Sequence, residues 1–389
     1  MNFKILLIAV LSLFFVACGI DKRKQAEQII NEFQQKNIPD KREAVFNIYP
    51  NFKNGNLILK GETDNLSTKD ELLNALKSFN FTDEINVLPD STIGGNNFGL
   101  INLSVANLRA SPNHSSEMVT QALLGTPVKI LKKENTWYLV QTPDDYISWI
   151  DASGIFTVSE IRLNNWRKAK RIIFNQDFSL VYESEKLENP ISDVTLGSIL
   201  EELEKNWRTT KVKFPDGRIG FVESKDWIDF DEFKNSSQPN SETVVMLADK
   251  FMGRPYLWGG TSCKAMDCSG FVKTVYFMNG IILARDASLQ TRHGNFIETN
   301  NSFDQFNAGD LLFFGRKEKE GLAEKVTHVA LSLGGTEYIH ASGLVKLNSF
   351  NPESEIFSEY RKNSLLKARR IINSMNNENV QLINKHPWY

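Results

Sequence analysis

Asp267-Cys268-Ser269-Gly270-Phe271-Val272-Lys273-Thr274-Val275-Tyr276-Phe277 decides how the C-terminal part of this chain folds. A small acidic residue is followed by a run whose Phe271, Val272, Val275 and Tyr276 recur at helical spacing, and Gly280 supplies a stop. Asp267 stands where a helix N-cap belongs, because a short carboxylate can accept one of the unpaired N–H groups of a first turn. Cys268 then opens the helix. There the free N–H groups and the positive dipole end favour a thiolate, so the sequence predicts a lowered thiol pKa and donors for an oxyanion.

A thiol that attacks a carbonyl needs an imidazole beside it. The chain has five histidines, and two lie on adjacent apolar runs, Thr327-His328-Val329-Ala330-Leu331-Ser332-Leu333 and Glu337-Tyr338-Ile339-His340-Ala341-Ser342, joined across Gly334-Gly335. Side chains alternate along strands, so a plain two-residue turn pairing 333 with 336 leaves His328 and His340 on opposite faces. A three-residue loop over Gly334–Thr336, or a bulge, puts them on one face, and one of these is expected. His328 is then the base and His340 the group that orients it. A packing role is the alternative for His340.

Upstream, Pro255-Tyr256-Leu257-Trp258-Gly259-Gly260 precedes the cysteine segment, and Lys234 to Asn240 is polar with Pro239, the best linker in the chain. Ser241 is expected to cap a helix over Val244, Leu247, Ala248 and Phe251. Between Gly94 and Val158 short alternating runs with frequent turns predict a small β barrel. Val105 to Pro112, Leu124 to Leu131, Trp137 to Thr142 and Tyr146 to Ile150 resemble a bacterial SH3-like domain. Residues 159–233 carry a diverged version, with Asn206 to Lys213 and Asp216 to Val222. Nearer the start, Ala44–Ile48, Asn56–Gly61 and Thr68–Phe79 read as two strands and a helix. These readings divide the chain into a signal (1–18), a small α+β unit (21–92), two SH3-like barrels (94–158 and 159–233), a linker (234–240) and a C-terminal domain (241–375).

The first residues carry an address. Lys4, an apolar run from Ile5 to Phe15, Ala17, Cys18 and a basic stretch after Asp21 form an export signal too short to span a membrane. It resembles a bacterial lipoprotein signal, which implies lipidation of Cys18 and anchoring to a cell-envelope membrane. An ordinary secretory signal is the alternative. The helix expected from Asp21 to Arg42 reads as a stalk or lead-in. With 389 residues, 41% hydrophobic, 24% charged and a net charge of -2, the chain has no polyanion-binding character, so nucleic acid is excluded as a partner.

Taken in order, Tyr256-x-Trp258-Gly259-Gly260, Asp267-Cys268-Ser269-Gly270-Phe271-Val272, Arg285 to Gln290, Ala308-Gly309-Asp310-Leu311 and the two histidine strands resemble the NlpC family of papain-like endopeptidases over most of 240–372. The resemblance implies a papain-like α+β domain behind the SH3-like barrels, with Cys268, His328 and His340 catalytic. Tyr256 then joins the Cys268 N–H in the oxyanion hole. A subgroup with SH3-like domains ahead of the peptidase is most similar, and it implies cleavage of the γ-D-glutamyl to diamino acid bond in peptidoglycan-derived peptides with a free L-alanine. The same resemblance implies that Asp267, Ser269 and Ser288 shape the substrate pocket and that Glu117 from the first barrel binds the ammonium, with Tyr146 of the same barrel a second candidate.

Simpler roles stand beside these. Asp267 is also an N-cap, and its charge raises the thiol pKa unless neutralised; Glu117 is otherwise a solvated surface charge. Cys263, Trp258, Phe313 and Phe314 read as core. His114, His293 and His386 read as surface or structural residues. The cysteines and histidines fall into no metal-ligand spacing, so neither metal nor cofactor is expected. A papain-like amidase or acyltransferase and a non-catalytic wall-binding scaffold are the competing functions; the intact Cys, His, His set opposes the scaffold, and an ammonium pocket opposes the acyltransferase.

Overall fold

The computed structural model describes residues 22–389 except 39, 54, 55, 237, 238, 300, 301 and 375–378. Cys18 and its signal lie outside the described residues. The chain forms two compact units, one of residues up to Gly94 with Leu131–Lys133, the other of Gly95–Ile130 with Glu134–Tyr389.

In the N-terminal unit a helix α1 over residues 22–37 precedes strands β1 (Phe46–Lys53) and β2 (Asn56–Thr63), helix α2 (Leu66–Ala75) and strand β3 (Phe81–Val87). β1 and β2 pair antiparallel, and β3 returns parallel to β2 through α2. The alternation in β1 turns Phe46 and Ile48 inward against Leu57, Leu59, Leu72 and Leu76. The lead-in expected for α1 is corrected here: Ala26 and Ile30 are buried in the same core, so the helix is part of the unit.

The second unit opens with two seven-stranded sheets. The first holds β4 (Phe98–Ile101), β5 (Val105–Arg109), β6 (Met118–Leu123), β7 (Pro127–Glu134), β8 (Trp137–Gln141), β9 (Ile147–Asp151) and β10 (Ile155–Val158). Along β5 the inward positions are Ala106 and Leu108, the period-two pattern of a half-buried strand. Ser159 caps helix α3 (Glu160–Lys168), and the second sheet follows with strands β11 to β17 between Arg171 and Asp229. Helix α4 (Phe230–Ser236) takes the first residues of the expected linker, because Phe230 and Phe233 pack into a shared core. Asn240, not Ser241, caps helix α5 (Ser241–Asp249), its side chain accepting from the Thr243 N–H at 2.9 Å.

The C-terminal domain sets helix α6 (Cys268–Phe277) against an antiparallel six-stranded sheet. After the two-residue strands β18 (Thr261–Ser262), β19 (Ala265–Met266) and β20 (Ile281–Ile282) and helix α7 (Ala287–Gln290), the sheet is built from β21 (Asn295–Ile297), β22 (Leu311–Arg316), β23 (Lys325–Gly334), β24 (Glu337–Ser342), β25 (Leu344–Ser349) and β26 (Leu365–Arg370), with α8 (Glu359–Ser364) between the last two. Phe271, Val272, Val275 and Tyr276 of α6 are fully buried against Leu311, Phe313, Val329, Leu331, Ile339 and Ala341. At roughly 1.5–3 kcal/mol per large apolar side chain, this contact holds the helix against the sheet. Of the two expected solutions at the histidine hairpin, the bulge is present: Leu331 pairs with Ile339 and Gly334 with Glu337, the register shifting between Ser332 and Gly334. The expected boundary at 375 falls short, since β27 (Gln381–Leu382) pairs with β20 and Tyr389 is buried.

Candidate active site

Cys268 occupies the first turn of α6, and Asp267 caps it by accepting the Gly270 N–H at 2.7 Å. Gly270 is required there, because a Cβ would lie 2.0 Å from the Gly260 carbonyl oxygen. The thiol is buried and lies by the N–H groups of Val329 and Ser269, which favour its anion. They do not prevail. Burial first, then the charge of Asp267, pushes the thiol up to about 11 against those N–H groups and Arg285. The expected lowering by the helix start is therefore corrected: desolvation outweighs it.

Asp267 is neutralised from the other side. Arg285, 1% exposed, donates to Asp267 Oδ1 at 3.1 Å, donates to Oδ2 through its second nitrogen, and reaches Ser269 Oγ at 2.9 Å. Asp267 Oδ2 also accepts the Gly259 N–H at 3.0 Å. Gln290, on α7, ties the Ser269 and Ala284 carbonyls together at 3.1 and 2.9 Å. Ser288 lies half-buried on the same short helix. Nothing in the spacing of Asp267 and Arg285 announced this pair.

The bulge sets His328 and His340 on one face, and His328 Nε2 lies 2.7 Å from His340 Nδ1. His340 Nε2 lies 2.8 Å from Asn348 Oδ1, while Asn348 Nδ2 donates to the Ile356 carbonyl at 2.8 Å. These bonds determine the tautomers in sequence. Because the Asn348 oxygen accepts, His340 carries its proton on Nε2; its Nδ1 accepts from His328 Nε2, and the lone pair of His328 is left on Nδ1. Asn348 is a site residue that the sequence reading missed, since a polar residue on an edge strand has no signature of its own. Burial, with Arg361, His340 and Lys346 adding, holds His328 well below the usual imidazole range. His340 is lowered to about 4 by burial, its bond to Asn348 opposing.

Tyr256 lies within electrostatic reach of the thiol, and burial raises its hydroxyl far above the usual phenol range, so it remains a donor. From the first barrel, Glu117 Oε1 accepts the Trp258 indole N–H at 2.7 Å. Trp258 is 63% exposed, which corrects its assignment to the core, whereas Phe313 and Phe314 are fully buried. Gly259 (φ +78°) lets the barrel approach, because a Cβ would lie 2.3 Å from the Met118 carbonyl oxygen. Tyr146 is buried against Ala284 and Leu289, next to Arg285. The barrel is further tied down by Thr261 Oγ1 donating to the Gln121 carbonyl at 2.9 Å and by Lys273 paired with buried Asp144 at 2.6 Å.

Among the described residues, Cys263 and the other histidines lie apart from this chain of bonds. Cys263 is buried and free, 2.8 Å from Thr195 Oγ1 and 3.1 Å from the Asp177 carbonyl. His386 is buried and lies 3.1 Å from the Pro143 carbonyl, half-buried His293 accepts the Ala284 N–H at 3.2 Å, and exposed His114 lies against Trp137 with ring centres 5.0 Å apart at a tilt of 60°. Among the described residues no cluster of metal-ligating side chains occurs.

Comparison with known proteins identifies the family. Residues 253–370 match the NlpC/P60 family and residues 104–155 match the bacterial SH3 domain. Dipeptidyl-peptidase 6 of Lysinibacillus sphaericus is 30% identical over 66% of this chain and 92% of that protein. A gamma-D-glutamyl-L-lysine dipeptidyl-peptidase of Bacillus cereus is 25% identical over 59% of this chain and 68% of its own. The crystal structure of an NlpC/P60 family protein from Bacillus cereus shares the fold across 71% of this chain and 99% of that one, with a TM-score of 0.59 at 22% identity. The chain is a cysteine peptidase and belongs to the NlpC/P60 family.

Proposed function

We propose that this peptidase hydrolyses the γ-D-glutamyl to diamino acid bond of peptidoglycan-derived peptides that begin with a free L-alanine. The observation that supports this reading is the Glu117 carboxylate, which accepts the Trp258 indole N–H, while Gly259, the next residue along the chain, donates to Asp267. A carboxylate there pairs with an ammonium only where the peptide's amine is free, so amide-blocked chains are rejected. Names borne by relatives, gamma-D-glutamyl-L-lysine dipeptidyl-peptidase among them, support the same bond.

In this reading the Cys268 proton passes to His328 Nδ1 and the sulfur attacks the glutamyl carbonyl. The Cys268 N–H and the Tyr256 hydroxyl take up the oxyanion. His328 returns the proton to the leaving amine, and water then hydrolyses the acyl-enzyme. His340, held by Asn348, keeps the base in the required tautomer. Ser288 and Tyr146 border the acyl-side pocket.

The test is to incubate the protein and its Cys268→Ala variant with L-alanyl-γ-D-glutamyl-diaminopimelate, the N-acetylated peptide and intact sacculi, reading products by mass. Cleavage of the free-amine peptide by wild type alone is expected. Equal cleavage of the acetylated peptide overturns the ammonium gate, and activity in Cys268→Ala overturns the nucleophile. On the sequence alone we also propose export and a lipid anchor at Cys18; Cys18→Ala should release the protein from the membrane fraction, and its retention there argues against the anchor.

A further inference from the structure

Proton return places the leaving residue on the His328 side of the cleft, because the imidazole that protonates the departing amine must touch it. That side carries two cations the mechanism does not use. Arg361, on α8, lies with its guanidinium 5.5 Å from the centre of the Phe314 ring, and Phe314 is the direct cross-strand neighbour of His328 with ring centres 5.8 Å apart. Its hydrogen bond is a long one, to Ser342 Oγ at 3.4 Å. Lys346 is the direct cross-strand neighbour of His340. Both side chains are half-buried. Among the described residues neither makes an ion pair, and the charges acting on Arg361 come from Tyr338, Tyr360 and Cys268, none of them a carboxylate. Both cations also act on His328 and His340. Two half-buried, unpaired cations beside a catalytic dyad are costly unless a ligand supplies the counter-charge.

We propose that Arg361 and Lys346 form the subsite for the leaving residue and bind its carboxylates, so that a dicarboxylic diamino acid with both carboxylates free is the preferred leaving group. Diaminopimelate at the end of a tripeptide offers two carboxylates, lysine in the same place only one, and an extended or amidated chain fewer. Arg361 supplies the fork that takes a carboxylate in two bonds, and Lys346 supplies a point charge. This rests on the γ-D-glutamyl reading above and adds the identity of the other half of the substrate.

The test compares kcat/KM for L-alanyl-γ-D-glutamyl-meso-diaminopimelate, its diamide at both diaminopimelate carboxylates, and the lysine tripeptide, in wild type, Arg361→Gln, Arg361→Lys and Lys346→Gln. Wild type should favour the dicarboxylate over the diamide by about tenfold or more, as for a charge-assisted hydrogen bond. Arg361→Gln should bring that ratio toward one, Arg361→Lys should restore part of it, and Lys346→Gln should narrow the gap between diaminopimelate and lysine. No preference in wild type, or equal slowing of both peptides by Arg361→Gln, overturns the subsite. A second readout does not depend on the reaction: free meso-diaminopimelate should slow alkylation of Cys268 in wild type but not in Arg361→Gln. Protection without cleavage of any γ-D-glutamyl peptide supports the subsite and overturns the substrate reading; absence of protection overturns the subsite.

Discussion

The indole N–H of Trp258 donates to Glu117 at 2.7 Å, joining an exposed aromatic residue of the peptidase to a loop of the neighbouring barrel. One carboxylate oxygen is used in holding the side chain in place, and in the proposed reading its charge meets the substrate's ammonium. Glu117→Gln keeps the shape and removes the charge. It should lower kcat/KM for the free-amine peptide about 10- to 100-fold, the range for a charged hydrogen bond, and bring the rates of free and acetylated peptides together. A ratio that stays as in wild type rules out Glu117 as the ammonium partner.

Asn348 stands at the end of the chain that orients His328. Asn348→Ala leaves His340 Nε2 without its acceptor and allows the wrong tautomer, so kcat should fall about 10- to 100-fold with a smaller change in KM. Asn348→Asp keeps an acceptor and should recover most of kcat, while its charge raises the His340 pKa and moves the acid limb of the pH profile upward. Full activity in Asn348→Ala would show that the histidine pair orients itself.

The pH behaviour follows from the shifted pKa values of base and thiol. His328 titrates well below 6.5, so the base remains competent into mildly acidic solution and the acid limb of kcat/KM should lie below that value. The thiol titrates near 11, so the thiolate fraction of the free enzyme grows as pH rises toward that value. Iodoacetamide modification of Cys268, followed by peptide mapping, should accelerate about tenfold per pH unit from pH 7 upward. A rate that is flat from pH 5 to 9 would instead show a preformed thiolate and imidazolium pair.

Asp267→Asn strips the counter-charge from a fully buried guanidinium. Leaving one partner of such a pair unpaired costs about 3–5 kcal/mol, which urea unfolding should report as a lower midpoint. The thiol should respond in the opposite sense to simple loss of function: with the anion gone and Arg285 retained, its pKa falls and alkylation at pH 8 speeds up. Unchanged stability would mean that Arg285 finds another partner.

The sequence by itself determined the elements whose signals are local. A cap, a cysteine and apolar residues at helical spacing place Cys268 at a helix start, because N–H groups left unpaired in a first turn select for a residue such as Asp267. Strand parity alone required a loop or bulge between the histidines, since side chains alternate strictly along a strand. The tertiary structure decided what depends on groups distant in the chain. Burial outweighed the helix start at the thiol, and only packing reveals how much water a side chain loses. Arg285 meets Asp267 from α7's approach, Asn348 meets His340 from the next strand, and Trp258 leaves the core to meet Glu117 of the barrel. Hydrogen bonds and ion pairs of this kind are set by where elements cross, and no periodicity in the sequence records a crossing.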